Sequence, residues 1–167
     1  MELASRVVET ALHYQADAVF IDETGMGVGV LDRVTELLLY TGCMVNGVNF
    51  SSSPEGMHFD AVPVKYANKR AEIWGRMKVW LRHAALPSDP ILKDELIGTE
   101  YFYNKKNEIQ LTPKDDLDVS PDYADAIAVT FSQPISMGRG LTDAGNHGNG
   151  EGVDFDPYAY QQKDEAA

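Results

Sequence analysis

The sequence predicts an α/β domain with a parallel pair of strands, on the basis of three observations. An apolar stripe at helical spacing runs through residues 2–15, and a short apolar run over residues 17–22 ends in an aspartate. A second helical pattern over residues 30–40 is followed by the strand-like segment CMVNGVNF. Short apolar runs that alternate with amphipathic helices are typical of parallel strands joined by crossover helices. We therefore expect a right-handed connection between the two strands.

The second half of the chain predicts a long helix, a short helix, a hairpin and a last acidic helix. A helical pattern spans residues 66–84, and LPSDPILKDELIG predicts a turn and a short helix capped by Asp89. The segment EYFYNKKNEIQLT alternates on both sides of a polar break, which indicates a hairpin. In SPDYADAIAVTF, Ser120 is the expected N-cap and Pro121 the expected first helical residue. The side chains expected to face the core from the long helix are Ile73, Trp74, Met77, Trp80 and Leu81.

Length and composition are typical of one globular domain followed by a tail. The 167 residues are 44% hydrophobic and 10% aromatic, and the single cysteine excludes an internal disulfide. No apolar run approaches the ~20 residues of a membrane helix, and the N-terminus lacks the layout of a signal peptide, so we expect a cytoplasmic protein without membrane contact. Residues 1–134 are predicted to form the domain, and the glycine-rich, acidic residues 135–167 a disordered tail.

The charge distribution predicts a local DNA-binding face. The net charge of −12 argues at first against a nucleic-acid partner. Basic residues nevertheless crowd residues 65–82, which contain a single acid. Lys65, Lys69 and Arg76 border the apolar stripe of the long helix and are predicted to contact DNA phosphates. Arg70 falls within the stripe and is predicted to be paired or to extend along apolar surface. A solvated basic face without a ligand is the alternative interpretation.

Three aspartates are candidate metal ligands. Asp22 ends the first predicted strand, at the edge where α/β sheets bind ligands. Asp122 and Asp125 lie three residues apart on one face of the last helix, and carboxylates this close repel each other unless a cation lies between them. Oxygen ligands without a His or Cys cluster fit Mg²⁺ or Mn²⁺ rather than zinc. Capping of a turn or a helix is the alternative role for each aspartate.

A strand-end aspartate combined with a helix-start Asp-x-x-Asp is the acidic arrangement of RNase H-like nucleases. Residues 5–134 resemble the C-terminal nuclease domain of the large terminase subunit of tailed bacteriophages. The matching segments are VFIDETGMGVGVLDRV, YANKRAEIWGRMKVWL, LPSDPILKDELIGTEYFYN with IQLTPKDD, and SPDYADAIAVTF. The resemblance implies an RNase H-like nuclease fold with an added β-hairpin. It also implies an enzyme of the bacterial host cell that cuts concatemeric double-stranded DNA with two Mg²⁺ or Mn²⁺ ions.

The resemblance further implies particular site residues and partners. It assigns Asp22, Asp122 and Asp125 as metal ligands and catalytic residues. It places Lys114 near the site, where its ammonium would steady the scissile phosphate, although a surface ion pair with the aspartates that follow it is equally compatible with the sequence. The implied partners besides double-stranded DNA are the terminase ATPase domain, the small terminase subunit and the portal.

The sequence departs from the family at its start. The family has another catalytic aspartate on the first strand of the sheet, and residues 1–21 contain no acid on a strand that replaces it. The chain is therefore expected to be N-terminally truncated relative to the family and to expose Ala18–Ile21 as a sheet edge. Glu23 and Asp60 are the nearest candidates for the vacant position.

Two alternative functions remain open at this level. A Holliday-junction resolvase-like nuclease shares the Asp-x-x-Asp helix. A non-catalytic prophage remnant that keeps DNA or portal contacts is favoured by the missing strand aspartate.

Overall fold

Helices and strands alternate along the chain in the predicted order, in a computed structural model that describes residues 2–25, 27–56 and 64–135. The helices are α1 (Glu2–His13), α2 (Gly27–Leu38), α3 (Lys69–Trp80), α4 (Pro90–Gly98) and α5 (Asp122–Ala128). The strands are β1 (Ala18–Asp22), β2 (Met44–Val48), β3 (Tyr101–Tyr103) and β4 (Ile109–Leu111). Single 3₁₀ turns at Lys114–Asp116 and Val129–Phe131 flank α5.

The strands β1 and β2 form the predicted parallel pair, with α2 as the crossover. Their register runs from Ala18 opposite Met44 to Asp22 opposite Val48. Within the described residues β2 is the only strand that pairs with β1, and the exposed sheet edge at Ala18–Ile21 stays a prediction.

Helices cover both faces of this sheet. On one face α1 and α2 pack against the β1 side chains Val19 and Ile21. On the other face Phe20 packs against a core formed by α3, α4 and α5. Alternate residues of a strand point to opposite faces, so the apolar run of β1 serves both cores.

Helix α3 begins three residues later than the sequence pattern predicts. Tyr66 forms a bridge with Ile109, and the Ala67 N–H donates to the Ile109 carbonyl at 2.9 Å, so this segment extends the β3–β4 sheet instead. Asn68 then caps α3 through a hydrogen bond from the Ala71 N–H. The predicted burial of Trp74 is confirmed, whereas the predicted burial of Trp80 is wrong, because that side chain is 42% exposed near the end of the helix.

The predicted hairpin and short helix are confirmed, but the predicted cap of α5 is wrong. The strands β3 and β4 are antiparallel, and the Asp89 side chain caps α4 ahead of Pro90. Ser120 does not cap α5, since its hydroxyl donates to Asp122 Oδ1 at 2.7 Å.

The predicted tail lies outside the described residues except for Ile135, and so does Asp60. The boundary between residues 134 and 135 stays a prediction. A helix long and apolar enough to cross a membrane does not occur in the described part of the chain.

Candidate active site at the edge of the sheet

Asp125 lies at the centre of a buried charged cluster and is only 5% exposed. Its Oδ1 accepts hydrogen bonds from Arg70 Nε at 3.1 Å and from Trp74 Nε1 at 2.7 Å. Its Oδ2 lies 2.7 Å from Lys114 Nζ. A buried carboxylate needs such partners, because an unpaired charge in the interior costs several kcal/mol. The arrangement therefore holds Asp125 as an oriented anion.

Two of these partners come from one turn of α3. Arg70 and Trp74 are four residues apart, so both side chains reach the same point on α5. Arg70 also lies 5.9 Å from the centre of the Trp74 ring, and its Nη1 donates to the Thr112 carbonyl at 3.4 Å. The prediction that Arg70 is paired is confirmed. The apolar pattern of the long helix predicted Trp74 only as a core residue. A buried indole N–H requires a hydrogen-bond acceptor, and this requirement was the sequence signal for a polar partner.

Glu95 on α4 supplies the missing cap of α5. This side chain is 4% exposed, and its Oε2 accepts a hydrogen bond from the Ala124 N–H at 2.8 Å. Ala124 is the third residue of α5, where an N-terminal cap normally acts. Sequence analysis missed Glu95, because the two residues are 29 positions apart. Helix α4 thus fixes the turn that carries Asp125.

Loss of the Glu95 cap should destabilise the domain. In Glu95→Leu the buried Ala124 N–H has no acceptor, so the free energy of unfolding should fall by about 1–3 kcal/mol. Glu95→Gln keeps an acceptor oxygen and should cost less. The matched control is Asp94→Leu, since Asp94 is exposed on the same helix. Urea denaturation measures all three variants, and equal stability of Glu95→Leu and the unmodified protein would contradict the capping role.

The cation between the two helix aspartates is the Lys114 ammonium. Lys114 Nζ lies 2.7 Å from Asp125 Oδ2 and 3.8 Å from Asp122 Oδ1. The side chains of Lys114 and Asp122 are 40% and 74% exposed, so this part of the cluster opens to solvent. The ion pairs of Lys114 are thus with the helix aspartates and not with the aspartates that follow it in sequence.

Asp22 lies on the face of the sheet that α5 covers. Phe20 and Asp22 are two residues apart on β1 and therefore point to the same face. Phe20 packs against a cluster that contains Ala124 and Ala128 of α5. The Asp22 Oδ1 accepts hydrogen bonds from the backbone N–H of Thr24, at 3.0 Å, and from its hydroxyl.

The start of α3 brings Asp125 to the same end of the sheet. Asp22 is opposite Val48, the last residue of β2. Two residues further on, the Phe50 carbonyl accepts a hydrogen bond from the Arg70 N–H at 3.0 Å, and the Arg70 side chain contacts Asp125. These contacts place the start of α3, which orients Asp125, beyond the carboxyl end of β2, the edge of the sheet at which Asp22 lies.

Solved structures that are similar to this chain include nuclease domains from a bacterial virus. The nuclease domain of the large terminase subunit gp2 of bacterial virus Sf6 is 22% identical to this chain, with a TM-score of 0.64 over 80% of this chain and 72% of that one. A mutant of that domain with manganese and beta-thujaplicinol is 19% identical, with a TM-score of 0.64 and the same coverage. A mutant with calcium is 22% identical, with a TM-score of 0.64 over 78% of this chain and 71% of that one.

This chain has the fold of a terminase nuclease domain. The mixed α/β fold class expected from the sequence, that of a terminase nuclease domain, is thereby confirmed. A scan against protein-family models and a search of curated proteins give no match.

The candidate acidic residues of this terminase-like domain have the ligand chemistry that a divalent ion requires. They are carboxylates, the ligands that Mg²⁺ and Mn²⁺ prefer. The ion-pair partner of Asp125 Oδ2 among the described residues is Lys114, whose side chain is partly exposed to solvent. A preformed group of three His, Cys, Asp or Glu residues that would hold a metal is absent from the residues described. An ion at Asp125 therefore requires the Lys114 ammonium to move.

The side chains of Glu23 and Asp22 lie on opposite faces of the terminase-like sheet. A Cβ atom at Gly47 would come within 2.6 Å of Glu23 Oε2 and 2.5 Å of a Leu31 methyl group. Leu31 belongs to α2, so the Glu23 carboxylate is on the face opposite to Asp125.

Two of the predicted DNA-binding residues are buried. Lys69 and Arg76 are 5% and 6% exposed, so the prediction that they face DNA phosphates is wrong. Lys69 Nζ lies 2.8 Å from Glu55 Oε1 and 3.3 Å from Glu72 Oε2, and Arg76 Nη2 lies 2.9 Å from Glu72 Oε1. The reason is Glu72, which is fully buried one turn away from both cations and requires their charge. Lys65 is exposed, as predicted.

The three buried ions Lys69, Glu72 and Arg76, together with the exposed Glu55, form what we call the Glu72 cluster, which joins distant segments of the domain. Glu72 accepts hydrogen bonds from the backbone N–H groups of Glu55, at 3.1 Å, and Gly56, at 3.0 Å. Lys69 and Arg76 each donate to the Ser132 carbonyl at 2.9 Å. The hydrogen bond from Lys69 holds the pKa of Glu55 below its usual value.

Proposed function

We propose that this domain is a divalent-metal-dependent endonuclease that cuts double-stranded DNA during phage genome packaging. The observation that carries the proposal is the buried Asp125 carboxylate, which accepts hydrogen bonds from Arg70 and Trp74 of α3 in a domain with the fold of a terminase nuclease domain.

In this proposal Asp22 and Asp125, with Asp122 beside them, hold Mg²⁺ or Mn²⁺. Bound ions would activate water and stabilise the leaving oxygen of the phosphodiester. Arg70 and Trp74 fix the direction of the Asp125 carboxylate. Lys114 pairs with Asp125 Oδ2 in the free domain and would contact the scissile phosphate when DNA enters, and Asp125 Oδ2 would then be able to hold an ion.

The terminase fold also motivates the wider partners of the proposal. We infer that an ATPase domain, a small terminase subunit and a portal act with this nuclease, because the similar structures are domains of a large terminase subunit. Concatemeric DNA is the corresponding substrate.

A plasmid assay tests the nuclease proposal. The purified chain should nick supercoiled DNA with Mn²⁺ and should stop when EDTA is added. Asp22→Asn should lower the rate about 100-fold or more, because metal coordination contributes several kcal/mol to transition-state stabilisation. Asp32→Asn on the exposed surface of α2 is the matched control and should leave the rate unchanged.

A second candidate function is DNA binding without cleavage. It is favoured by the lack of a preformed three-carboxylate cluster among the residues described. Retention of plasmid without nicking at any Mn²⁺ concentration would support this candidate and contradict the nuclease proposal.

A further inference from the structure

One face of the β3–β4 hairpin presents exposed tyrosine rings toward α3. Tyr101 and Tyr103 are 51% and 61% exposed, and alternation along β3 places both on the same face. Their ring centres are 6.3 Å apart in an edge-to-face arrangement. Lys78 Nζ lies 4.9 Å from the centre of the Tyr101 ring, at a distance typical of a cation–π contact.

A groove of about 400 Å³ lies between α3 and this face, and we call it the tyrosine groove. Neither aspartate nor glutamate occurs among its described lining residues, although the chain carries a net charge of −12. Its lining includes Trp74, Lys78, Arg82 and Tyr101. Ile109 and Leu111 of β4 form its apolar floor.

Charge is separated between the two sides of the hairpin. On the other side a hollow of about 280 Å³ is lined by Asp94, Glu100, Asp116 and Asp118. Exposed cations at the hairpin turn, Lys105 and Lys106, add positive charge near the rings. The tyrosine groove is therefore a local site for an anion on an acidic protein.

Only part of the basic run over residues 65–82 is available to a ligand, in contrast to the sequence-based prediction. Lys69, Arg70 and Arg76 are buried and neutralised by acids. Lys78 and Arg82 are exposed and line the groove. Two of the three exposed cations of the run thus line the same groove as an exposed aromatic ring, and the third is Lys65.

We propose that the tyrosine groove binds single-stranded nucleic acid. Unpaired bases stack on Tyr101 and Tyr103, while Lys78 and Arg82 contact the phosphates. Stacking is available to any unpaired base, whereas a duplex hides the faces of its bases. An apolar protein segment would leave both cations without partners, so the charge favours a polyanion.

The groove also adjoins the candidate active site. The Trp74 ring lines the groove, and its N–H donates to Asp125 at 2.7 Å. A strand separated from a duplex near a cut would therefore be held next to the reacting phosphate. This biological role rests on the proposed nuclease function, but binding itself is measured without cleavage.

Fluorescence anisotropy with a labelled oligothymidylate in EDTA tests the inference. The double variant Tyr101→Ala/Tyr103→Ala should weaken binding about tenfold or more, since each stacked base contributes about 5- to 150-fold. Tyr101→Phe/Tyr103→Phe keeps both rings and should bind within about twofold of the unmodified protein. Lys78→Gln/Arg82→Gln should flatten the slope of log affinity against log salt by about 1.4.

Tyr40→Ala is the matched control, because Tyr40 is 94% exposed far from the hairpin in sequence and should leave binding unchanged. Lack of oligothymidylate binding by the unmodified protein, equal binding by the double alanine variant, or an equal loss on a duplex of the same length would each overturn the proposal. A chain that binds oligothymidylate through these tyrosines but does not nick plasmid would support the groove and contradict the nuclease proposal.

Discussion

Replacing Asp125 with asparagine should lower the rate of plasmid nicking about 100-fold or more. The carboxylate is the proposed metal ligand at the centre of the site, and an amide does not supply the same charge to a divalent ion. The same change should also destabilise the domain by about 3–5 kcal/mol, because Arg70 stays buried without its counter-ion. Nicking assays with Mn²⁺ and urea denaturation measure the two effects.

Two further variants separate chemistry from stability. Trp74→Phe removes one hydrogen bond to Asp125 Oδ1 but keeps the carboxylate, so the rate should fall less than in Asp125→Asn. Asp122→Asn changes an exposed residue of the same helix and should leave stability almost unchanged. If Asp125→Asn nicks plasmid at the unmodified rate while folded, Asp125 is a structural residue and the proposed site is wrong.

Replacing Glu72 with leucine should strongly destabilise the domain. Lys69 and Arg76 would remain buried beside an apolar side chain, and removal of one partner from a buried ion pair costs about 3–5 kcal/mol. The N–H groups of Glu55 and Gly56 would lose their acceptor as well. This is a large fraction of the about 5–15 kcal/mol that stabilises a typical domain, so the midpoint of urea denaturation should fall well below that of the unmodified protein.

The matched control for the Glu72 cluster is Glu36→Leu. Glu36 pairs with Arg33 on the surface of α2, with side chains 68% and 36% exposed. Surface pairs contribute about 0–1 kcal/mol, so this control should lower stability only slightly. A midpoint of urea denaturation for Glu72→Leu that matches the control would show that the cluster does not stabilise the fold.

Local sequence patterns correctly predicted the elements that depend on neighbouring residues. Each of these elements is determined within a few residues. They are the strand that ends at Asp22, the hairpin that turns at Asn104, and the helix that Asp89 caps ahead of Pro90. The spacing of Asp122 and Asp125 also placed both on one face of α5, where Lys114 meets them. Helical and strand periodicities are short-range properties, which is why they are readable without a structure.

The sequence by itself determined the α/β order of elements, the strand-end position of Asp22 and the face shared by Asp122 and Asp125. Only the tertiary structure decided which charges are buried. Lys69 and Arg76 belong to a basic run that is typical of a DNA-binding face. Both side chains are nevertheless buried, because Glu72 on the same helix is buried and needs counter-charges. Glu95 caps α5 from a different helix, and no local pattern relates residues 29 positions apart. Burial and long-range pairing depend on how helices pack, and a one-dimensional pattern does not contain that information.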